Sequence, residues 1–227
     1  MLSVSALVLA STATQAQDLS ITLTNLSQGI YFTPVISAAH EADNHLFTVG
    51  EAATAELQMM AEGGDISGLS SILSNANANI NENPASGLLA PGVSTSYMLT
   101  NDEANTHLSV TTMMLPTNDG FIGLDGWEIP TEAGTYTVFL NGYDAGTEAN
   151  NEVINGGGAP GVLGIPFDPG TAFGTGGTGV TTEENNTMVH IHRGSLGDDN
   201  DTAGNSDLNN TVHRWLNPVA KLTITIQ

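Results

Sequence analysis

The run LSITLT, residues 19 to 24, decides the fold class. Leu19, Ile21 and Leu23 alternate with Ser20, Thr22 and Thr24, the period of two that sends one set of side chains to a core and the other to solvent on a β-strand. The far end of the chain repeats the pattern in KLTITIQ, residues 221 to 227, where Leu222, Ile224 and Ile226 share a face. Strand-like runs also occupy residues 108–114, 136–140 and 188–192, with weaker ones at 97–99 and 121–124. Turn residues, among them 26 glycines and 9 prolines, punctuate these runs. An all-β fold, an antiparallel β-sandwich, is expected.

Two segments depart from that rhythm. EAATAELQMMAEGG, residues 51 to 64, is rich in Ala, Glu, Leu and Met and ends in Gly63-Gly64, a helix with its stop signal. Residues 66–73 offer a second short helix, and both are expected to cap one end of the sandwich or cover a sheet edge. Residues 155–180 hold ten glycines and form a long loop, with Val162, Leu163, Ile165, Phe167 and Phe173 packing at intervals. A loop of that length is usually functional or mobile.

The chain has 227 residues, of which 40% are apolar, so residues 17–227 are expected to form a single domain. Only Arg193, Arg214 and Lys221 are basic, against 24 Asp and Glu, for a net charge of −21. That balance argues against nucleic acid or an anionic membrane surface as a partner and favours cations. Cysteine is absent, which removes disulfides and thiolate chemistry. The opening MLSVSALVLASTATQA, residues 1 to 16, reads as a secretory signal truncated at its charged start, with cleavage before Gln17. No other segment approaches the ~20 apolar residues of a membrane span. A secreted or cell-surface location, extracellular or periplasmic, is therefore expected.

Three stretches carry candidate chemistry. The loops TNDGFIGLD (117 to 125) and YDAGTE (143 to 148) follow strand-like runs, so they can meet at one end of a sandwich. Calcium takes about six to eight oxygen ligands from carboxylates, carbonyls and water. Asp119, Asp144 and Glu148 can supply the charged ones, and Gly120 and Gly146 allow close backbone approach. Against this stands the plain alternative of solvated acids in a very acidic chain. The second stretch is His190-Ile191-His192, whose imidazoles share one face of a strand and can chelate zinc or copper in a metalloenzyme. Further ligands would then have to come from His40, His45, His107 or His213, and these show no ligand spacing. Two histidines hydrogen-bonded within a sheet is the plainer reading. The third is DDNDTAGNSD, residues 198 to 207, which from Asp199 matches part of an EF-hand loop. Ala203 and Asn210 occupy its fifth and twelfth positions, where the motif calls for a ligand and a bidentate Glu, so a solvated acidic loop is expected. Arg193 and Arg214, scarce cations among many acids, are expected in ion pairs with carboxylates. No catalytic triad, GxSxG or phosphate-cradling glycine motif occurs, so an enzyme is not expected.

Several segments taken in order are similar to one family: ITLTNLSQGIYFTPVISAAH, LFTVGEAATAELQMMAEGG, MLPTNDGFIGLD, YDAGTEANNE, VHIHRG and WLNPVAKLTI. Together they resemble the bacterial branch of the spondin-N domain, named for the N-terminal part of F-spondin, over about residues 18 to 227. The resemblance implies a β-sandwich similar to a C2 domain, with a calcium ion held at one end by acidic loop residues. Carried over by motif position, those acids fall on Asp119, Asp144 and Glu148. The aromatic that follows the first acid in animal members is Gly120 here, and the last acid is Glu rather than Asp. The animal domains also carry cysteines that this chain lacks.

The resemblance implies a calcium-binding module for extracellular binding or adhesion at a cell surface or matrix, with an extracellular protein or glycan as partner. A self-assembling structural subunit is the alternative, and a metalloenzyme built on His190 and His192 a third.

Overall fold

The computed structural model describes residues 17–102, 104–171, 174–200 and 202–227. The expected leader, residues 1 to 16, lies outside them, as do Phe173 of the glycine-rich segment and Asp201 of the acidic loop. Ten strands and two short helices follow in the order β1 (Asp18–Asn25), β2 (Tyr31–Phe32), β3 (Ile36–His40), α1 (Ala55–Gly63), α2 (Ser67–Asn75), β4 (Asn79–Glu82), β5 (Ser94–Thr100), β6 (His107–Leu115), β7 (Gly120–Glu128), β8 (Gly134–Asp144), β9 (His190–Ile191) and β10 (Ala220–Ile226).

Neighbouring strands pair antiparallel in the order β4-β3-β6-β7-β8-β10-β1-β5, with β2 on β6 and β9 on β8. The sheet curls until its two edges approach, where Asn81 Nδ2 of β4 donates to the Met98 carbonyl of β5 at 3.2 Å. The result is a sandwich close to a closed barrel, with the edge strands β4 and β5 facing each other. Strand β8 joins the two layers. Its first part, from Gly134 to Leu140, pairs with β10, and its last residues, Asn141 to Asp144, pair with β7. One strand therefore spans the molecule and delivers Asp144 to its loop end.

The two alternating runs that signal the fold lie side by side, with Leu19, Ile21 and Leu23 opposite Ile226, Ile224 and Leu222. All six are buried in the main core inside the curled sheet, beside Phe32, Val110, Met114, Ile122 and Leu140. Each such side chain contributes roughly 1.5–3 kcal/mol by leaving water. A second core lies on the outer face, where Ile36, Ala38, Met113 and Phe121 meet Leu57, Met60, Leu69 and Leu73 of the helices. The helices therefore cover a sheet face rather than an edge. Strand β3 is buried at every position because it lies between the two cores. The Thr54 side chain caps α1 by accepting from Leu57 N at 3.1 Å, worth about 1 kcal/mol. Gly64 ends it in the left-handed region at φ 72°.

Candidate metal centre

The turn from β6 to β7 and the loop after β8 meet through their backbones. Gly120 pairs with Asp144 across β7 and β8, and Ala145 N donates to the Asp119 carbonyl at 3.2 Å. Thr117 fixes the first turn: its Oγ1 donates to the Met114 carbonyl at 2.6 Å and accepts from Gly120 N at 3.0 Å. Gly146 shapes the second loop. Its φ is +70°, and a Cβ there would lie within 2.8 Å of the Thr187–Met188 backbone, so both the dihedral and the close approach require glycine.

This frame brings Asp119, Asp144 and Glu148 into one neighbourhood with 0%, 1% and 2% exposure. Asp119 Oδ2 accepts from Thr147 N (2.8 Å), Glu148 N (3.1 Å) and Thr147 Oγ1 (3.2 Å). Asp144 Oδ1 accepts from Gly146 N at 2.9 Å and its Oδ2 from Asn150 Nδ2 at 2.6 Å. Glu148 Oε2 accepts from Gly164 N at 2.9 Å and Asn118 Nδ2 at 3.3 Å. Asp119 Oδ1 and Glu148 Oε1, both buried, accept no hydrogen bond.

Burial, and then the Asp144 charge, push Asp119 well above the usual carboxylate range despite the N–H groups of Thr147 and Glu148. Burial likewise raises Asp144 against the pull of Asn150, Gly146 and His190. Glu148 rises to about 7, again chiefly through burial. Carboxylates so placed disfavour mutual ionisation unless a cation joins them. The donor set suits a hard cation, because it is all oxygen and two of those oxygens are open. Among the described residues, no three His, Asp or Glu side chains already form a ligand set for a metal ion. The fit therefore rests on the open oxygens and the uncompensated charge.

The two histidines join this neighbourhood, as their shared strand face implies. His190 Nε2 and His192 Nε2 lie 3.9 and 4.0 Å from Asp144 Oδ2. His192 is buried against the Trp215 ring at 4.9 Å, and burial lowers its pKa to about 3, so it is neutral. Gly194 N donates to its Nδ1 at 2.9 Å, which assigns the ring proton to Nε2. A protonated Nε2 has no lone pair for a metal. His190 Nδ1 donates to the Met188 carbonyl at 2.8 Å, with Nε2 toward Asp144.

The remaining loop acids meet a different environment. Asp198 accepts from Asn200 N with Oδ1 and from Asn205 N and Ser206 N with Oδ2, and these bonds lower its pKa. Its carboxylate closes its own loop. Glu152 accepts from Leu196 N, Gly197 N and Ser206 Oγ. Asp207 gathers Ile154 N, Thr175 N and Gly177 N, holding the glycine-rich segment and the acidic loop together. The expected arginine–carboxylate pairs do not form among the described residues. Arg193 donates to the Asn150 carbonyl and Arg214 to the Leu196 carbonyl, and among the described residues every ion pair has His as its basic partner. Backbone N–H groups have already claimed the nearby carboxylates.

Spacing did not disclose the polar groups around the three acids. Asn118 and Asn150 stand within the two motif stretches, beside the acids they bond. Glu62 lies on α1, its buried Oε2 unpartnered and its charge raising Glu148. Only the packing of α1 on the sheet brings it there, and no local pattern marks it.

A family model described as Spondin_N matches residues 24–153, a stretch that contains Asp119, Asp144 and Glu148 and stops short of His190 and His192. No curated protein matches the chain.

Proposed function

We propose that this chain, which belongs to the spondin-N family, is an exported binding or adhesion module whose loop end is tied together by one calcium ion. Members of the family are typically extracellular, and no helix among the described residues is long and apolar enough to cross a membrane. Asp119, Asp144 and Glu148 hold the ion, with backbone carbonyls and water completing its shell. The observation that carries this reading is the pair of buried oxygens without partners, Asp119 Oδ1 and Glu148 Oε1, in a cluster whose acids are all pushed up. An unsatisfied buried acceptor costs ~1–3 kcal/mol, and a cation offsets that cost at both atoms. Convergence on one ion asks for rotation of the Asp119 and Glu148 carboxylates. The ion supplies charge neutralisation and a cross-link between the two loops, which fixes the surface presented to an extracellular protein, a glycan or another copy of the chain.

Thermal melting in calcium and in chelator tests the reading. Calcium at 100 times its dissociation constant stabilises the folded chain by about 2.7 kcal/mol. Asp144→Asn removes most of that response, whereas Asp198→Asn leaves it intact. Magnesium substitutes poorly, since it demands tighter octahedral geometry. Identical melts in calcium and chelator, with no bound ion in the purified protein, sink the proposal.

A further inference from the structure

Two of the three basic residues in the sequence, Arg193 and Arg214, line one cleft of about 540 Å³ with Ser195, Leu196, Trp215 and Leu216. The cleft lies between two segments that run together. Trp215 Nε1 donates to Ser195 Oγ at 3.2 Å, and a Cβ on Gly194 would meet the Trp215 carbonyl at 2.6 Å. Both arginines are exposed, and each is anchored by one bond to a backbone carbonyl: an Nη of Arg193 on Asn150 at 3.0 Å, Nε of Arg214 on Leu196 at 2.9 Å. Those bonds orient the guanidinium groups without cancelling their charge. Neither has a carboxylate within 4.0 Å among the described residues. Glu152, bonded to the backbone of the lining residue Leu196, is engaged by Leu196 N, Gly197 N and Ser206 Oγ.

Two like charges facing one cleft repel, and a chain with 24 acids had carboxylates to spare for pairing them. Their free N–H groups suit an oxyanion, which a guanidinium grips in a planar, two-pronged fashion. Between and beside them the cleft is aliphatic: Leu196 is 40% exposed and Leu216 83% exposed, while Trp215 contributes a buried edge. We propose that this cleft binds a carboxylate carried on an aliphatic body, with the charge between Arg193 and Arg214 and the body against Leu196 and Leu216. A free aliphatic acid and the C-terminus of a peptide ending in an aliphatic residue share that chemistry.

The test uses the full chain and follows the Trp215 indole N–H by NMR during titration. Hexanoate is expected to shift that signal in a saturable way. Hexanamide, which lacks the charge, and acetate, which lacks the body, bind at least tenfold more weakly. Arg214→Gln weakens hexanoate at least tenfold, while Arg193→Lys, which keeps a charge, weakens it less than Arg193→Gln. Melting curves confirm that the variants fold. A leucine-terminated pentapeptide with a free C-terminus, compared with its amidated form, separates the sources. If the free peptide binds more tightly than hexanoate, the ligand is a chain end; if hexanoate is tighter, it is a free acid. No saturable shift from either probe, equal binding of hexanamide, or full binding by the Arg193→Gln, Arg214→Gln double variant overturns the proposal.

Discussion

Asp207 and Asp119 are both removed from water, at 7% and 0% exposure, yet their surroundings drive them in opposite directions. Burial pushes Asp207 up, but the N–H groups of Gly177, Ile154 and Thr175 outweigh it and its pKa falls. Asp168 behaves likewise: burial is overcome by His213, Thr171 and Gly170, and its pKa drops to about 2. At Asp119 the N–H groups of Thr147 and Glu148 lose to burial and the Asp144 charge. A buried carboxylate is thus either a structural anion, bonded at both oxygens by the loops it gathers, or, like Asp119, one left with an oxygen that no donor meets. Composition cannot separate the two, and the bonding of each oxygen can.

The largest effect expected from this division is at the structural anion. Asp207→Ala leaves the N–H groups of Ile154, Thr175 and Gly177 without their acceptor and costs about 3 kcal/mol. Urea unfolding should show the same loss in calcium and in chelator. A loss that calcium repairs would merge the two classes of acid into one cation-dependent system.

The fold was largely legible, and particular residues show why. Strands β1 and β10 each have one buried and one exposed face, so their alternation reads directly. Ile36-Ser37-Ala38-Ala39-His40 carries no such alternation because both faces are covered, by the main core through Ala39 and by the helices through Ile36 and Ala38. Asp119, Asp144 and Glu148 were legible as loop acids that follow strand-like runs, although the resemblance, more than the spacing, selected them. Their link to His190 was not, because β9 is two residues long and its pairing with β8 has no local signature. The arginines misled for an electrostatic reason: a count of charges says nothing of carboxylates already bonded to backbone.

Smaller effects follow from pH, with opposite signs for the two classes. The folded chain holds protons on Glu148 between its ordinary 4.5 and about 7, where the unfolded chain has lost them. Folding then binds protons, so stability of the calcium-free protein falls as pH rises through that window. Asp168 works the other way: its contribution is present above 3.8 and lost as pH falls toward about 2. Buried His192 acts in the opposite sense to Glu148: its pKa is lowered from 6.5 to about 3, so the penalty for keeping it neutral fades as pH rises to 6.5. The decline of calcium-free protein should therefore be clearest above pH 6.5, and saturating calcium should flatten it. Melting from pH 5 to 8 checks this, and a calcium-free protein that keeps gaining stability above pH 6.5 would mean that the three acids are not under-bonded.

The smallest effect, and the one that divides the classes most sharply, is Asp119→Asn. At a structural anion such a change weakens bonds to N–H groups and destabilises. Here the amide oxygen can keep accepting from Thr147 N and Glu148 N, as Oδ2 does now. The amide nitrogen replaces Oδ1, a buried acceptor that no donor meets. The ionised form, which burial and the Asp144 charge disfavour, disappears as well. Without calcium the variant should be more stable than the parent by about 1 kcal/mol at neutral pH, the low end of what an unsatisfied buried acceptor costs. With calcium the order should reverse, because the parent gains the ion's stabilisation and the variant loses much of it. Calcium titration of the urea midpoint, parent against variant, reads both signs in one experiment. If Asp119→Asn destabilises equally in calcium and in chelator, then Asp119 belongs with Asp207 among the structural anions.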